Sequence, residues 1–261
     1  MKTPETRLCA HHLTGMSYRD VDLVEELIGK KTFTEVMIMQ ILGREARPVD
    51  LRIVDAVLVT LMEHGMTPSA IATRLIYMSA PENLQGAVAS GLMAVGSQFV
   101  GTMENCSRLL DRIRQAADEE AEALAIAREF RASRQALPGF GHHLHKPDDP
   151  RSIKLLALAE AEPELKGDSI KALRLLASAI DATYGRHITI NATGAVAALL
   201  SEIGVPTDLM RGFAVISRAA GLVSHVAEEQ QSPSGRYIWE TIDHAIPYVG
   251  AGKSRQDDGQ S

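Results

Sequence analysis

Apolar side chains recur every three or four residues along most of the chain, which is the pattern of helices with one buried face. In segment 32–42, one such face is formed by Phe33, Val36, Met37 and Ile41. The same spacing recurs at 18–28, 49–63, 68–78, 84–95, 104–133, 152–161, 168–184, 194–203 and 208–229. Strands do not alternate with helices in this pattern, so it predicts an all-α protein.

Prolines and glycines mark where several helices begin and end. Pro48 and Pro68 suit the first turn of a helix, and Gly43 is a typical stop. Segment 84–95 is apolar all round, which is typical of a helix buried in a core or an interface. Segment 104–133 has a charged outer face and is predicted to be one long helix with at most one break.

One stretch interrupts the helical pattern, LPGFGHHLHKPDDPR at 137–151. Its prolines and glycines exclude a regular helix, and long helical segments flank it on both sides. A loop with many ionisable side chains between rigid elements is a common place for chemistry. Around it we predict a large helical domain (1–150 and 206–250), a smaller helical subdomain (151–205) and a disordered tail (251–261).

Composition narrows the class of protein. The chain has 261 residues, 45% of them hydrophobic, and a net charge of −6. The negative charge argues against a general nucleic-acid binder, although it leaves room for a local basic pocket. Two cysteines, Cys9 and Cys106, form neither a metal-binding spacing nor a disulfide framework, which favours a reducing, cytoplasmic setting. We found no signal-peptide pattern and no apolar run long enough for a membrane span.

The histidines of the loop invite a metal-binding interpretation. His142, His143 and His145 are close together, but no carboxylate or cysteine at typical spacing completes a zinc site. Lys146 follows directly and would repel a cation. We therefore predict no metal, and local structure or phosphate contacts for His143 and His145.

The same loop resembles the citrate synthase signature, a Pro-Gly-aromatic-Gly-His stretch that ends in Asp-Pro-Arg. The spacing from His142 to Arg151 agrees with it. Three more segments resemble parts of this family, in the family's order: EHGMTPSAIATR at 63–74, GAVASGLMAVGSQFVGTMEN at 86–105 and ISRAAGLVSHVAEEQ at 216–230. Four ordered segments within about residues 32–248 make the resemblance far more specific than a single motif.

Within the family, the chain looks most like the short citryl-CoA lyases and the citrate-synthase-like module of ATP-citrate lyase. It is much shorter than a full citrate synthase. Phe99 also stands where citrate synthases carry a histidine in a Pro-Leu-His-Gly turn. The resemblance implies a citrate synthase-like helical fold, a homodimer or higher homo-oligomer with shared active sites, and a CoA thioester as substrate. From the composition and the residues we expect no metal, nucleic-acid or membrane partner.

The resemblance also implies roles for individual residues. His64 and His142 match catalytic positions that contact substrate oxygens. Positions that bind the substrate and its carboxylates correspond to Phe99, Arg151, Arg218 and Arg236. Coenzyme A is expected to contact Pro138, Gly139, Phe140, Gly141 and Lys146, with exposed amides of this turn meeting its adenine or pantetheine portion.

One catalytic position departs from the family. Lyase members carry a carboxylate in an Asn-x-Asp-Gly-like segment, and here that segment reads ITINATGAVAALL, with Thr193 in place of the aspartate. A threonine hydroxyl is no carboxylate base near neutral pH. This speaks most strongly against condensation of acetyl-CoA. Asp181 and Glu104 are the other carboxylates considered as replacements.

These observations predict a lyase that cleaves citryl-CoA, or a related 3-hydroxy-3-carboxyacyl-CoA, to acetyl-CoA or a short acyl-CoA and oxaloacetate or another 2-oxo acid. Two alternatives remain open. One is a condensing acyltransferase of the citrate synthase type. The other is a non-catalytic homologue that binds CoA and carboxylates, because Thr193 replaces the expected aspartate.

Overall fold

The structure is a computed structural model that describes residues 3–96 and 101–250. Helices dominate these ranges, which confirms the predicted all-α class. In chain order the helices are α1 (Phe33–Leu42), α2 (Pro48–Leu61), α3 (Pro68–Ser79), α4 (Leu84–Met93), α5 (Thr102–Gln115), α6 (Glu119–Ser133), α7 (Pro150–Glu160), α8 (Asp168–Tyr184), α9 (Ala192–Glu202), α10 (Met210–Gln231) and α11 (Gly235–Ala245). None of the described helices is long and apolar enough to cross a membrane.

Local chemistry explains the ends of α1. Thr32 forms a capping box with Glu35: its hydroxyl accepts from the Glu35 amide, and the Glu35 carboxylate accepts from the Thr32 amide. At the other end, Gly43 has φ +69°, the left-handed conformation that favours glycine, and its amide donates to the Met39 carbonyl. The start and stop read from the sequence are therefore confirmed for this helix.

The prediction of a helix at 18–28 is wrong. The chain instead forms a small antiparallel sheet of β1 (Cys9–His12), β2 (Gly15–Tyr18) and β3 (Val21–Asp22), followed by a π-helical turn at Leu23–Leu27. Arg19 and Asp20 have positive φ and turn the chain between the last two strands. Asp22 then accepts from the amides of Val24 and Glu25, so helical geometry begins only after it.

Segment 104–133 forms two helices with one break between them, as the prediction allowed, because Asp118 caps α6 through the Ala121 amide. Helix α11 was not predicted from the pattern at all. Segment 84–95 forms α4, but within this chain only Ala87 and Gly91 of the helix are buried.

The chain divides into two compact units. The first comprises 1–63 and 95–218, and its core contains Ile53, Leu110, Leu173, Leu199 and Phe213. The second comprises 64–94 and 219–261, where α3 packs against α4 and α11. The predicted subdomain 151–205 lies wholly inside the first unit, and its boundaries stay a prediction. The predicted disordered tail lies outside the described residues.

Asp50 is a buried charge that joins three parts of the first unit. Its carboxylate accepts from the Arg47 guanidinium at 2.6 Å, from the Arg47 amide at 2.9 Å, and from Arg44. Arg44 in turn donates to the Ile203 carbonyl at 3.0 Å, just after α9. Burial would raise the pKa of Asp50, but these donors outweigh it and lower the pKa to about 2.

We expect Asp50→Asn to lower the free energy of unfolding by about 2 kcal/mol at pH 7. The native pKa lies below the unfolded value, so the carboxylate stabilises the fold above about pH 4 and this contribution is lost as the pH falls toward 2. Urea unfolding of both proteins between pH 7 and pH 2.5 measures it. A difference that does not shrink with acidification would contradict this role for the charge.

Candidate active site

The loop that contains His142 is fastened to the segment that precedes α9. The Gly141 amide donates to the Thr189 carbonyl at 2.7 Å, and the Asn191 amide donates to the Gly139 carbonyl at 3.0 Å. The Asn191 side-chain amide donates to the Gly141 carbonyl at 3.0 Å. These hydrogen bonds pair the loop with residues 187–192, although neither segment is a regular strand. Thr193 follows directly, so two predicted site segments lie side by side.

Two glycines make this close approach possible. Gly139 has φ +84°, and a Cβ there would lie 2.6 Å from Cys106 Sγ. A Cβ on Gly194 would lie 2.4 Å from the Gly139 carbonyl oxygen, a backbone atom that cannot rotate away. The start of α9 can therefore contact the loop only if residue 194 has no side chain.

Gly194→Ala is expected to lower the free energy of unfolding by about 2–3 kcal/mol, because the new methyl group overlaps a fixed carbonyl. Gly212→Ala is the matched control. Gly212 lies in α10, where an added Cβ meets nothing within 4 Å. There alanine should be neutral or stabilising by up to about 1 kcal/mol. Thermal unfolding of the two variants distinguishes the cases, and equal stability would contradict the clash.

His142 is surrounded by N–H donors. Its Nδ1 accepts from the amides of Leu144 at 3.1 Å and His145 at 2.9 Å, so this nitrogen carries no proton. The proton of the neutral ring is then on Nε2, 3.3 Å from Arg151 Nη2. An oxygen atom of a ligand that lies between these two donors can accept from both. Burial, His145 and Arg151 together lower the pKa of His142, so the neutral ring is favoured.

Asp149 holds the guanidinium of Arg151 in place. It caps α7 and is fully buried. One carboxylate oxygen accepts from the amide and Nε of Arg151, both at 3.0 Å. The other accepts from Arg151 Nη2 at 2.8 Å and from the Ala192 amide at 3.1 Å. Burial alone would raise the pKa of Asp149, but these four bonds lower it below the usual value.

The fold brings a carboxylate to the histidines, contrary to the sequence expectation. Ligand atoms of His142, His145 and Asp149 all lie within 4.8 Å of one another. This set does not suit a cation, however. Both oxygens of Asp149 are occupied by donors, Nδ1 of His142 is occupied too, and the Arg151 guanidinium stands beside Nε2. The N–H donors of this cluster suit an anion better than a cation.

Thr193 lies in the first turn of α9 and is linked by hydrogen bonds on both sides. Its hydroxyl donates to Asn191 Oδ1 at 2.7 Å and lies 2.8 Å from the Thr102 hydroxyl. The two carboxylates considered as replacements are engaged elsewhere. Asp181 binds His187 at 2.7 Å, and Glu104 binds Arg211 at 2.6 Å. The hydrogen-bond partners of Thr193 among the described residues are therefore neutral polar groups.

Arg218 is a buried cation with little local compensation. Its side chain is 9% exposed, its Nη1 has no hydrogen-bond acceptor among the described residues, and the Glu63 carboxylate is 3.8 Å away. Burial lowers the pKa of Arg218, and Glu63 offsets this only in part. Such a guanidinium would gain strongly from a carboxylate ligand.

The comparison with known families settles the wider relationship. The family model described as "Citrate synthase, C-terminal domain" matches residues 6–239. The chain belongs to the citrate synthase family. Among curated relatives, a citrate synthase of Haloferax volcanii is 29% identical over 206 residues, which cover 76% of this chain and 53% of that protein. The chain thus spans about half the length of this citrate synthase.

Solved structures of family members share the fold over nearly the whole chain. Citryl-CoA lyase from Hydrogenobacter thermophilus is 28% identical with a TM-score of 0.84, and the match covers 98% of both chains. ATP citrate lyase from Methanothrix soehngenii, in complex with citrate and coenzyme A, is 19% identical with a TM-score of 0.77. That match covers 100% of this chain and 44% of the other. The second likeness shows the fold alone.

In this member of the citrate synthase family, the turn predicted to contact coenzyme A is more buried than expected. Gly139 and Phe140 are buried, Pro138 is half-buried, and only Gly141 and Lys146 are exposed. The amides of Phe140 and Gly141 donate to the carbonyls of Leu137 and Thr189, which differs from the expected exposed amides. Phe140 also belongs to the hydrophobic core of the first unit.

The remaining predicted residues lie elsewhere. His64 is exposed in the segment after α2, and Arg236 is exposed at the start of α11, where it binds Glu240 at 2.8 Å. Both belong to the second unit. Phe99 lies outside the described residues.

Sequence reasoning overlooked Asp149, Asn191 and Thr102. A signal existed for the first, because an aspartate before a proline at the first helical position is a good N-cap. Asn191 gave a similar signal as the N-cap of α9, where it accepts from the Gly194 amide. Thr102 gave none, since its contact with Thr193 spans 91 positions of sequence.

Proposed function

We propose that this chain is a CoA-dependent carbon–carbon lyase of the citryl-CoA lyase type. Its reaction would cleave citryl-CoA, or a related 3-hydroxy-3-carboxyacyl-CoA, into acetyl-CoA or another short acyl-CoA and oxaloacetate or another 2-oxo acid. The proposal extends the family membership to a particular reaction, and it is supported by the residues around His142.

The observation that carries the proposal is the pair of donors formed by His142 Nε2 and Arg151 Nη2, 3.3 Å apart. A tertiary alcohol flanked by a carboxylate presents two oxygens at a comparable separation. The guanidinium would bind the carboxylate, and the imidazole N–H would bind the oxygen that gains negative charge as the carbon–carbon bond breaks. Asp149 keeps Arg151 in the orientation that this requires.

The reaction balances without an added oxidant or reductant. The hydroxyl group loses its proton to a base, the electrons of the O–H bond form the new carbonyl group, and the carbon–carbon bond breaks. Its electron pair moves to the acyl-CoA fragment as an enolate, which takes a proton at carbon. His142 stabilises the developing alkoxide from Nε2, water is the proposed acceptor of the hydroxyl proton, and His64 stays predicted from the sequence to contact a substrate oxygen. Water is the proposed acid toward the enolate, since Thr193 carries no carboxylate.

Further groups are assigned to the substrate's charges. Arg218 is the proposed partner of a second carboxylate, because its burial leaves it undercompensated. Lys146 is the proposed cation for CoA phosphate, and exposed Gly141 leaves room for the thioester arm. Arg236, Phe99 and the homodimer with shared sites stay predictions from the family resemblance.

Incubation of the purified chain with citryl-CoA tests the proposal. Malate dehydrogenase and NADH report oxaloacetate as it forms, and we expect NADH oxidation above the rate without protein. No excess oxaloacetate would overturn the citryl-CoA version. Thiol release from acetyl-CoA plus oxaloacetate would instead favour the condensing alternative, which Thr193 opposes. Calorimetric binding of a CoA thioester without turnover would favour a non-catalytic homologue.

A further inference from the structure

His145 contacts the ring of His142 in two ways. Its backbone amide donates to His142 Nδ1 at 2.9 Å, and its imidazole stacks on that of His142 with centroids 4.4 Å apart at 27°. His145 is half-buried, whereas the other stacked neighbour, His143, is exposed and has its centroid at 4.7 Å. A proton on His145 would therefore place a positive charge against the face of the catalytic ring.

We propose that His145 is a positioning residue that keeps the His142 ring uncharged, with its Nε2 proton directed to the substrate. The amide bond fixes which nitrogen is protonated, and the stacked imidazole opposes a second proton on the same ring. The inference rests on the proposed function for its catalytic consequence, but its physical content concerns the free protein.

The geometry explains why the stacked ring matters. Protonating Nδ1 would break two bonds from backbone amides, those of Leu144 and His145. It would also place the imidazolium beside a guanidinium and against a second imidazole. A positive charge on the stacked ring would repel a proton added to His142.

Among the described residues, the charged and titratable groups that act on His142 come from the loop and from the start of α7. Arg151 and His143 act in the same direction as His145 and disfavour the imidazolium, whereas Asp149 favours it. The effect of Asp149 is limited, because its carboxylate is already bound to Arg151. After burial, His145 is the largest of the causes that lower the pKa of His142.

The chain with labelled histidines allows a direct test by NMR. Titration of the His142 Cε1–H signal should show an upward pKa shift of about half a pH unit in His145→Phe, since a neighbouring charge is removed. His145→Gln should shift it in the same direction, because it also removes the charge while leaving the backbone amide in place. His143→Phe is the matched control and should give a smaller shift.

The activity profile gives a second measurement. If neutral His142 is required, the acidic limb of kcat/KM against pH should move upward in His145→Phe by the same amount as the NMR titration. Unchanged or lowered His142 titration in both His145 variants would overturn the proposal. A shifted titration in a protein that does not cleave citryl-CoA would uphold the positioning role and reject the proposed function.

Discussion

His142→Ala is expected to lower kcat/KM for citryl-CoA cleavage by about 10³-fold, because it removes the donor that meets the developing alkoxide. The loss should fall mainly on kcat, since Arg151 still binds the carboxylate in the ground state. Steady-state kinetics with the coupled oxaloacetate assay measures both constants.

His143→Ala provides the control for this result. His143 lies in the same loop as His142 and its ring stacks on that of His142, but its side chain is exposed. We expect its kcat/KM to stay within a few-fold of the wild-type value, with a similar melting temperature for both variants. Activity of His142→Ala within tenfold of wild type would mean that this ring does not act on the substrate.

The helical class follows from the apolar spacing because each helix buries one face, and local caps such as Thr32 and Gly43 place its ends. The N-terminal sheet was missed for a physical reason. Its turn uses Arg19 and Asp20 at positive φ, where glycine would have been the usual signal. Four-residue strands are also too short to show a clear two-residue period.

The sequence points to some residues of the candidate site but not to the hydrogen bonds that connect them. The motif pointed to His142 and Arg151, whose family role remains proposed. The hydrogen bond from the Ala192 amide to Asp149 spans 43 positions, so no local pattern predicts it. This bond also occupies a carboxylate oxygen of Asp149, which is one reason why His142, His145 and Asp149 do not suit a cation.

Thr193→Asp is expected to place at position 193 a carboxylate that can remove a proton from the acetyl carbon. The wild type has only a hydroxyl group at this position. Exchange of the acetyl-CoA methyl protons with deuterated solvent should rise by about 10²-fold, and condensation with oxaloacetate should become measurable. The first turn of α9 favours a negative charge there, and the Thr102 hydroxyl can donate to it. Mass spectrometry of the recovered acetyl-CoA measures the exchange.

The side chain of Asn191 limits how much the exchange rate can rise in Thr193→Asp. Its Oδ1 lies 2.7 Å from the Thr193 hydroxyl and also accepts from the Gly194 amide, while its amide nitrogen binds the Gly141 carbonyl. The side chain is thus held with an acceptor toward residue 193, and it would raise the pKa of a new carboxyl group. Thr193→Asn introduces a side chain of nearly the same shape as aspartate but without a carboxylate. It should therefore show no exchange of the acetyl-CoA methyl protons. Equal exchange in both variants, or none in a folded Thr193→Asp protein, would mean that residue 193 does not face the acyl carbon.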